Sequence, residues 1–196
     1  YTQGKKVSVA IERELRHCDA FYISVAFITE GGLAPLKQVL AELRDKGIPG
    51  KILTTSYLTF TEPKALKTLA DLSNVEVRVY DSTDEGASGF HTKGYIFKEE
   101  EIYRFIVGSS NMTASAFSVN KEWNTKLIST ENGEVAEEIV EEFHNLWNSE
   151  YALSYDDFYE VYKERYNIIK HQREIAKSEE IPSLEQYRLK PNSMQE

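Results

Sequence analysis

Apolar and polar residues follow two different periods along this chain, and each change of period marks an element. KKVSVAIERELRHCD (5–19) repeats its apolar residues at helical spacing, and AFYISVAFIT (20–29) is a β-rich apolar run. Gly31 and Gly32 read as a break, after which LAPLKQVLAELRDKG (33–47) resumes the helical period with Gly47 as its stop. GKILTT (50–55) predicts a short strand, PKALKTLADL (63–72) a helix with Pro63 in its first turn, and VEVRVYD (75–81) an alternating strand. Beyond the turn-rich DSTDEGASG (81–89) come three strand-like stretches, TKGYIF (92–97), IYRFIVGS (102–109) and EWNTKLIS (122–129). KEEE (98–101) predicts a hairpin turn between the first two, and the stretch before the third has room for a helical turn. Two helices follow, over 134–149 and 155–177, and the end of the chain shows little pattern. The rhythm predicts an α/β fold: a mixed, largely parallel sheet sandwiched between helices, with a C-terminal helical extension.

Composition changes this picture in three places. The net charge of −9 argues against a nucleic-acid binder until its distribution is read. Residues 1–130 carry 16 basic and 16 acidic side chains, whereas residues 131–196 carry 7 and 16, so the excess belongs to the C-terminal helices. The single cysteine, Cys18, excludes an internal disulfide framework and a cysteine-rich zinc site, as expected of a cytoplasmic protein. No apolar run approaches the roughly 20 residues of a membrane span. The chain opens at Tyr1 without a methionine and reads as a piece of something longer.

Candidate chemistry centres on GFHTKGYIFKEEE (89–101). A lone strand histidine is ordinarily structural, and a lone strand lysine is ordinary edge protection. The company of His91 and Lys93 changes that reading. Downstream, GSSN (108–111) ends a strand in hydroxyls, backbone N–H groups and a carboxamide suited to an oxyanion, and Glu122 opens the next strand. A hairpin and a third adjacent strand can bring His91, Lys93, Ser109, Asn111 and Glu122 to one end of a sheet. A nucleophilic imidazole, a cation, an amide donor and a carboxylate form a coherent phosphoryl-transfer set. Ser110 is expected to support the turn. Tyr57, Phe60, Trp123 and Trp147 are expected to cover the core, although the first two could also stack on bases.

The set resembles the phospholipase D superfamily, whose motif is His-x-Lys, four residues, Asp, then Gly-Ser-x-Asn. The chain matches it with His91-Thr92-Lys93 and Gly108-Ser109-Ser110-Asn111, and has Lys98 in place of the aspartate. The superfamily's type II restriction endonucleases also lack the aspartate and use a glutamate about ten residues after the asparagine, where this chain has Glu122. VAFITEGGL, ILTTSYL and NKEWN resemble blocks of PLD-like domains found at the N-terminus of bacterial DEAD/DEAH-type helicases, and LKPNSMQE resembles the segment that opens the helicase motor.

That resemblance implies a phospholipase D-like fold and a metal-independent nuclease acting on DNA, with no cofactor. His91 is the expected nucleophile and Glu122 the group holding its other ring nitrogen. Lys93 and Asn111 are expected to bind phosphate oxygens, with Ser109 contributing. Because the mechanism uses two histidines and His17, His144 and His171 lie outside any such motif, a homodimer with one composite active site is expected. The implied organisation is a phosphodiesterase domain over 1–150, a helical extension over 151–180 and a linker over 181–196 toward a C-terminal helicase domain. Two other readings use the same residues: a module that grips DNA backbone but cleaves weakly, and a lipid phosphodiesterase. The missing aspartate, the single motif and the absence of a basic amphipathic helix stand against the lipid reading, and no membrane partner is expected.

Overall fold

The computed structural model describes residues 6–83 and 86–178. Seven strands form one sheet: β1 (Ala20–Val25), β2 (Gly50–Thr55), β3 (Val75–Tyr80), β4 (Lys93–Glu99), β5 (Ile102–Gly108), β6 (Asn124–Thr130) and β7 (Ala152–Ser154). Their spatial order is β6-β5-β4-β1-β2-β3-β7. The helices are α1 (Val7–Leu15), α2 (Glu30–Leu33), α3 (Lys37–Asp45), α4 (Pro63–Ala70), α5 (Ala114–Ser118), α6 (Glu134–Trp147) and α7 (Tyr155–Ser178).

Strand position explains strand composition. β1 and β2 lie inside the sheet with both faces covered, so both are buried along most of their length, and β1 reads as a nearly continuous apolar run. β6 is an edge strand, and half-buried and exposed residues interchange along it. Val7, Ile11 and Leu15 of α1, Val39 and Leu43 of α3, Leu66 and Leu69 of α4 and Phe158 and Tyr162 of α7 cover one face. Ala136, Phe143 and Trp147 of α6 cover the other, against Leu53, Ile96 and Phe105. The result is the mixed α/β sandwich that the patterning predicts.

The sheet is less parallel than expected. Among the described ladders, β1–β2 and β2–β3 pair in parallel and the other four are antiparallel. The strand–helix–strand rhythm ends at β3. Glu100 and Glu101 join β4 to β5, and a two-residue link reverses the chain, which forbids a parallel pair. Glu100 turns with φ 52°, and its N–H donates to Asp19 Oδ2 at 2.7 Å.

Other departures have local causes. The apolar run after Val25 leaves the ladder, and Gly31 and Gly32 lie inside α2, capped by the Thr29 hydroxyl, which accepts from Gly32 N at 3.1 Å. A Cβ on Gly32 would sit 2.0 Å from Met112 O, so only glycine permits this contact between α2 and the chain after β5. Pro35 sits in a 3-10 turn over 34–36 that divides the expected 33–47 helix into α2 and α3. β7 has no counterpart in the patterning: three residues are too few to show a period. α7 runs to Ser178, with its N-terminal half in the core, where Tyr162 Oη donates to Thr61 O at 2.7 Å. The expected linker over 181–196 lies outside the described residues. No described helix is long and apolar enough to cross a membrane.

Candidate active site

Antiparallel pairing decides which chain ends meet. Lys93, the first residue of β4, lies opposite Val25, the last of β1. Gly108, the last of β5, lies opposite Asn124, the first of β6. The ends of β1 and β5 and the beginnings of β4 and β6 therefore share one end of the sheet, and His91, Lys93, Ser109, Asn111 and Glu122 flank them.

The GSSN turn is held from three sides. Ser109 N donates to Trp123 O at 2.9 Å, and Trp123 N donates back to Ser109 Oγ at 3.0 Å. A Cβ on Gly108 would lie 2.0 Å from Trp123 O, so the motif glycine is what lets the two strands close here. Ser110 is buried, accepts from Asn124 Nδ2 at 2.8 Å and takes the phenol of buried Tyr95 on its carbonyl at 3.1 Å. It supports the turn, as expected. Burial pushes the Tyr95 phenol far up, so it stays a neutral donor.

Asn111 Oδ1 accepts from Phe27 N at 3.1 Å. Its carbonyl oxygen is thus occupied, and the side chain has its NH2 group left to offer, the end that a phosphate oxygen needs. Met112 N donates to Phe27 O at 3.1 Å, so the segments after β1 and β5 are joined on both sides. Lys93 Nζ donates to His91 O at 2.8 Å. Burial lowers its pKa below the ordinary lysine value, while the Glu122 carboxylate raises it. Thr92, between the two motif residues, shares a 2.6 Å hydroxyl contact with Ser24 on β1.

The imidazole of His91 is exposed, and its ring meets Phe27 at 6.2 Å. Glu122 does not hold it. Among the described residues the imidazole makes no hydrogen bond, and Glu122 instead accepts from the Ser109 hydroxyl and from Asn120 Nδ2, the latter at 3.3 Å. The GSSN turn draws the carboxylate toward itself because it supplies a hydroxyl donor beside Glu122, two residues before β6 begins. Lys98, in the place of the motif's aspartate, lies near the far end of β4, roughly 16 Å along the strand from Lys93, and pairs with Glu131 at 2.8 Å. His144, on α6, packs against Tyr22 and Phe143, and His17 bonds Arg13 O at 2.7 Å.

Three aromatic expectations are overturned. Trp147 is buried as expected, but Trp123, the residue after Glu122, is 88% exposed. Tyr57 and Phe60 are each 46% exposed. β6 is the edge of the sheet, so a residue just before it has no layer to pack under; strand pattern alone does not say which strand is the edge. Phe27 is a neighbour of His91 that strand reading assigned to β1; its only signal is an aromatic residue where the apolar run outlasts the strand. Three lysines are engaged by other groups: Lys126 binds Glu14 at 2.7 Å, Lys67 binds Asp71 at 2.8 Å and Lys51 lies over Trp147. Among the described residues no three His, Cys, Asp or Glu side chains group as a metal site. A mostly apolar cavity of about 280 Å³ opens beside Lys93 under α6, lined by Thr92, Val107, Ile139, Phe143 and Leu146.

A sheet end that gathers His-x-Lys and Gly-Ser-x-Asn between two helical layers defines a phospholipase D-like protein. The family described as "Cardiolipin synthase, PLD-like domain" matches residues 17–147, and the chain belongs to it. Among solved structures, the phosphatidylserine synthase of Haemophilus influenzae aligns over 90% of this chain and 44% of its own, with a TM-score of 0.55 and 14% identity. The polyphosphate kinase of Porphyromonas gingivalis aligns over 71% of this chain and 23% of its own, with a TM-score of 0.49 and 11% identity. The chain thus spans less than half the length of either. No curated protein sequence matches it.

Proposed function

We propose that the chain is a phosphodiesterase that cleaves DNA through a phosphohistidine. The observation that carries this is the convergence of His91, Lys93, Ser109, Asn111 and Glu122 on one sheet end, in a chain of a PLD-like family. One ring nitrogen of His91 attacks phosphorus and the P–O bond to the leaving strand breaks. The leaving oxygen takes a proton from a second imidazole, and water then displaces His91 from phosphorus. Lys93 and the Asn111 NH2 hold the non-bridging oxygens, with Ser109 beside them. Glu122 keeps Ser109 in place and balances Lys93. The second imidazole is His91 of a partner subunit, which makes the working unit a homodimer with a composite site. Residues 1–150 supply the nuclease part of a cytoplasmic, helicase-containing protein, with its core completed by α7 of the helical extension over 151–180, ahead of the linker over 181–196.

Two other readings each have an observation in their favour. The imidazole without a carboxylate partner favours a module that grips DNA backbone and turns over weakly. The apolar cavity beside Lys93, together with the family description, favours a lipid phosphodiester. One experiment separates all three: EDTA-treated protein and its His91→Ala variant, offered plasmid, single-stranded DNA and phosphatidylglycerol vesicles, with mass by light scattering. The expected result is a dimer that cleaves DNA in EDTA and loses cleavage with His91. Binding without cleavage turns the assignment to the gripping module, and turnover of phospholipid alone turns it to the lipid.

A further inference from the structure

We infer that the loop after β2, residues 57–60, forms with Phe27 a stacking wall for the unpaired nucleobase next to the scissile phosphate. This rests on the DNA reading above and names the form of DNA it takes, a single strand.

The loop is turned inside out. Thr55, Ser56, Thr59 and Thr61 are buried, while Tyr57, Leu58 and Phe60 are about half exposed. Hydrophobic burial alone selects the opposite arrangement. Its backbone is strained as well: Leu58 and Thr59 take φ 52° and 50°, left-handed values that a bulky or β-branched residue avoids. Such strain persists where surroundings over-determine it, and it concentrates at ligand clamps. Here the buried hydroxyls do the holding. Thr55 Oγ1 accepts from Tyr57 N at 3.1 Å, Thr61 Oγ1 donates to Thr55 O at 3.2 Å, and Ser56 Oγ donates to Asp81 Oδ1 at 3.0 Å. From α7, Arg173 Nη2 donates to Leu58 O at 2.6 Å, and the guanidinium lies 4.9 Å over the Phe60 ring.

The wall is tied to the reacting centre. Phe60 meets Phe27 edge to face at 5.2 Å, and Phe27 meets the His91 ring at 6.2 Å. The Phe27 N–H is the group that holds Asn111 Oδ1, so a residue assigned to the phosphate also sets the register of the ring beside it. Aromatic surface beside a phosphate site, with a guanidinium backing one ring of it, is the chemistry of single-strand binding, where bases stack and backbone charge is met by cations. It tolerates any base, and a base in a duplex cannot present its face to it.

The test measures EDTA-treated dimer on a single-stranded oligonucleotide, on the same sequence as duplex, and on an abasic deoxyribose-phosphate oligomer of equal length. Phe60→Ala, Phe60→Leu and Phe60→Trp are compared with the unmodified protein, each checked by circular dichroism melting. Stacking is supported if Phe60→Ala and Phe60→Leu both raise KM or Kd for the single strand by at least about 5-fold, while Phe60→Trp restores it. All four proteins should then bind the abasic oligomer alike and weakly. Rescue by Phe60→Leu as complete as by Phe60→Trp overturns the inference in favour of plain apolar contact. Equal behaviour of all four on the single strand overturns it too, and leaves the nuclease reading intact. Failure of the unmodified protein to bind or cleave any DNA removes that reading first, and the stacking wall with it.

Discussion

The ammonium of Lys93 stands partly out of water at the head of β4, and this burial pushes its pKa below the ordinary lysine value, with the Glu122 carboxylate pulling it back. A lysine whose folded pKa is depressed makes folding favour the uncharged form. Its cost to stability is complete at neutral pH and fades as pH rises toward the ordinary value near ~10.4. Lys93→Met is therefore expected to melt at a higher temperature than the unmodified protein at pH 7. That advantage should shrink as the melts are repeated toward pH 10, and a lower melting temperature at pH 7 would falsify this account. The same variant should lose about 10²- to 10³-fold in turnover, the usual effect of removing one donor to a developing oxyanion. That His91, Lys93 and Asn111 share one sheet end was legible in the motif spacing, because the spacing follows the ladder register that brings them together. The hydrogen-bond partner of Glu122 was not legible in the same way. Whether a carboxylate meets an imidazole or a serine hydroxyl depends on a turn geometry that spacing does not encode.

Among the elements, the closure between β5 and β6 controls most of the site. Gly108 faces Asn124 across the ladder and has no space for a methyl group against Trp123 O. Gly108→Ala must push Trp123 and Glu122 away, which breaks the paired bonds between Ser109 and Trp123. Overpacking of this kind costs about 1–3 kcal/mol. The expected outcome is a folded protein with a lowered urea midpoint whose activity falls further than its stability; activity unchanged despite a lowered midpoint would show that Glu122 and Ser109 are dispensable. Elements of helical length were readable from their period, as α3, α4 and α6 show. Those set by contact were not. α2 exists because Gly32 lies against Met112, and β7 because three residues find the free edge of β3.

For the whole molecule, the acidic C-terminal part is structural as well as solvated. Phe158 and Tyr162 complete the core over the sheet, and Tyr162 reaches Thr61 in the loop after β2. A fragment ending at residue 150 loses those side chains and uncovers the edge of β3. It is expected to give no cooperative thermal transition, whereas a fragment ending at 178 melts like the full chain; a cooperative melt from the shorter one would place the core's limit before α7. The layered α/β architecture and the span of α7 were legible from the order of periods, but that α7 closes the core was not, since heavy charge hides its few apolar residues. One further consequence lies at the seam between β1 and β4. Ser24 meets Thr92 across 68 positions, and Phe27 meets Asn111 across 84. The hairpin of β4 and β5 needs only local contacts, while joining it to β1 closes a long loop, a slower and entropically costlier event. The Asn111 amide, proposed to hold phosphate, is oriented only after that event, so a folding chain has most of its architecture before its candidate site is assembled.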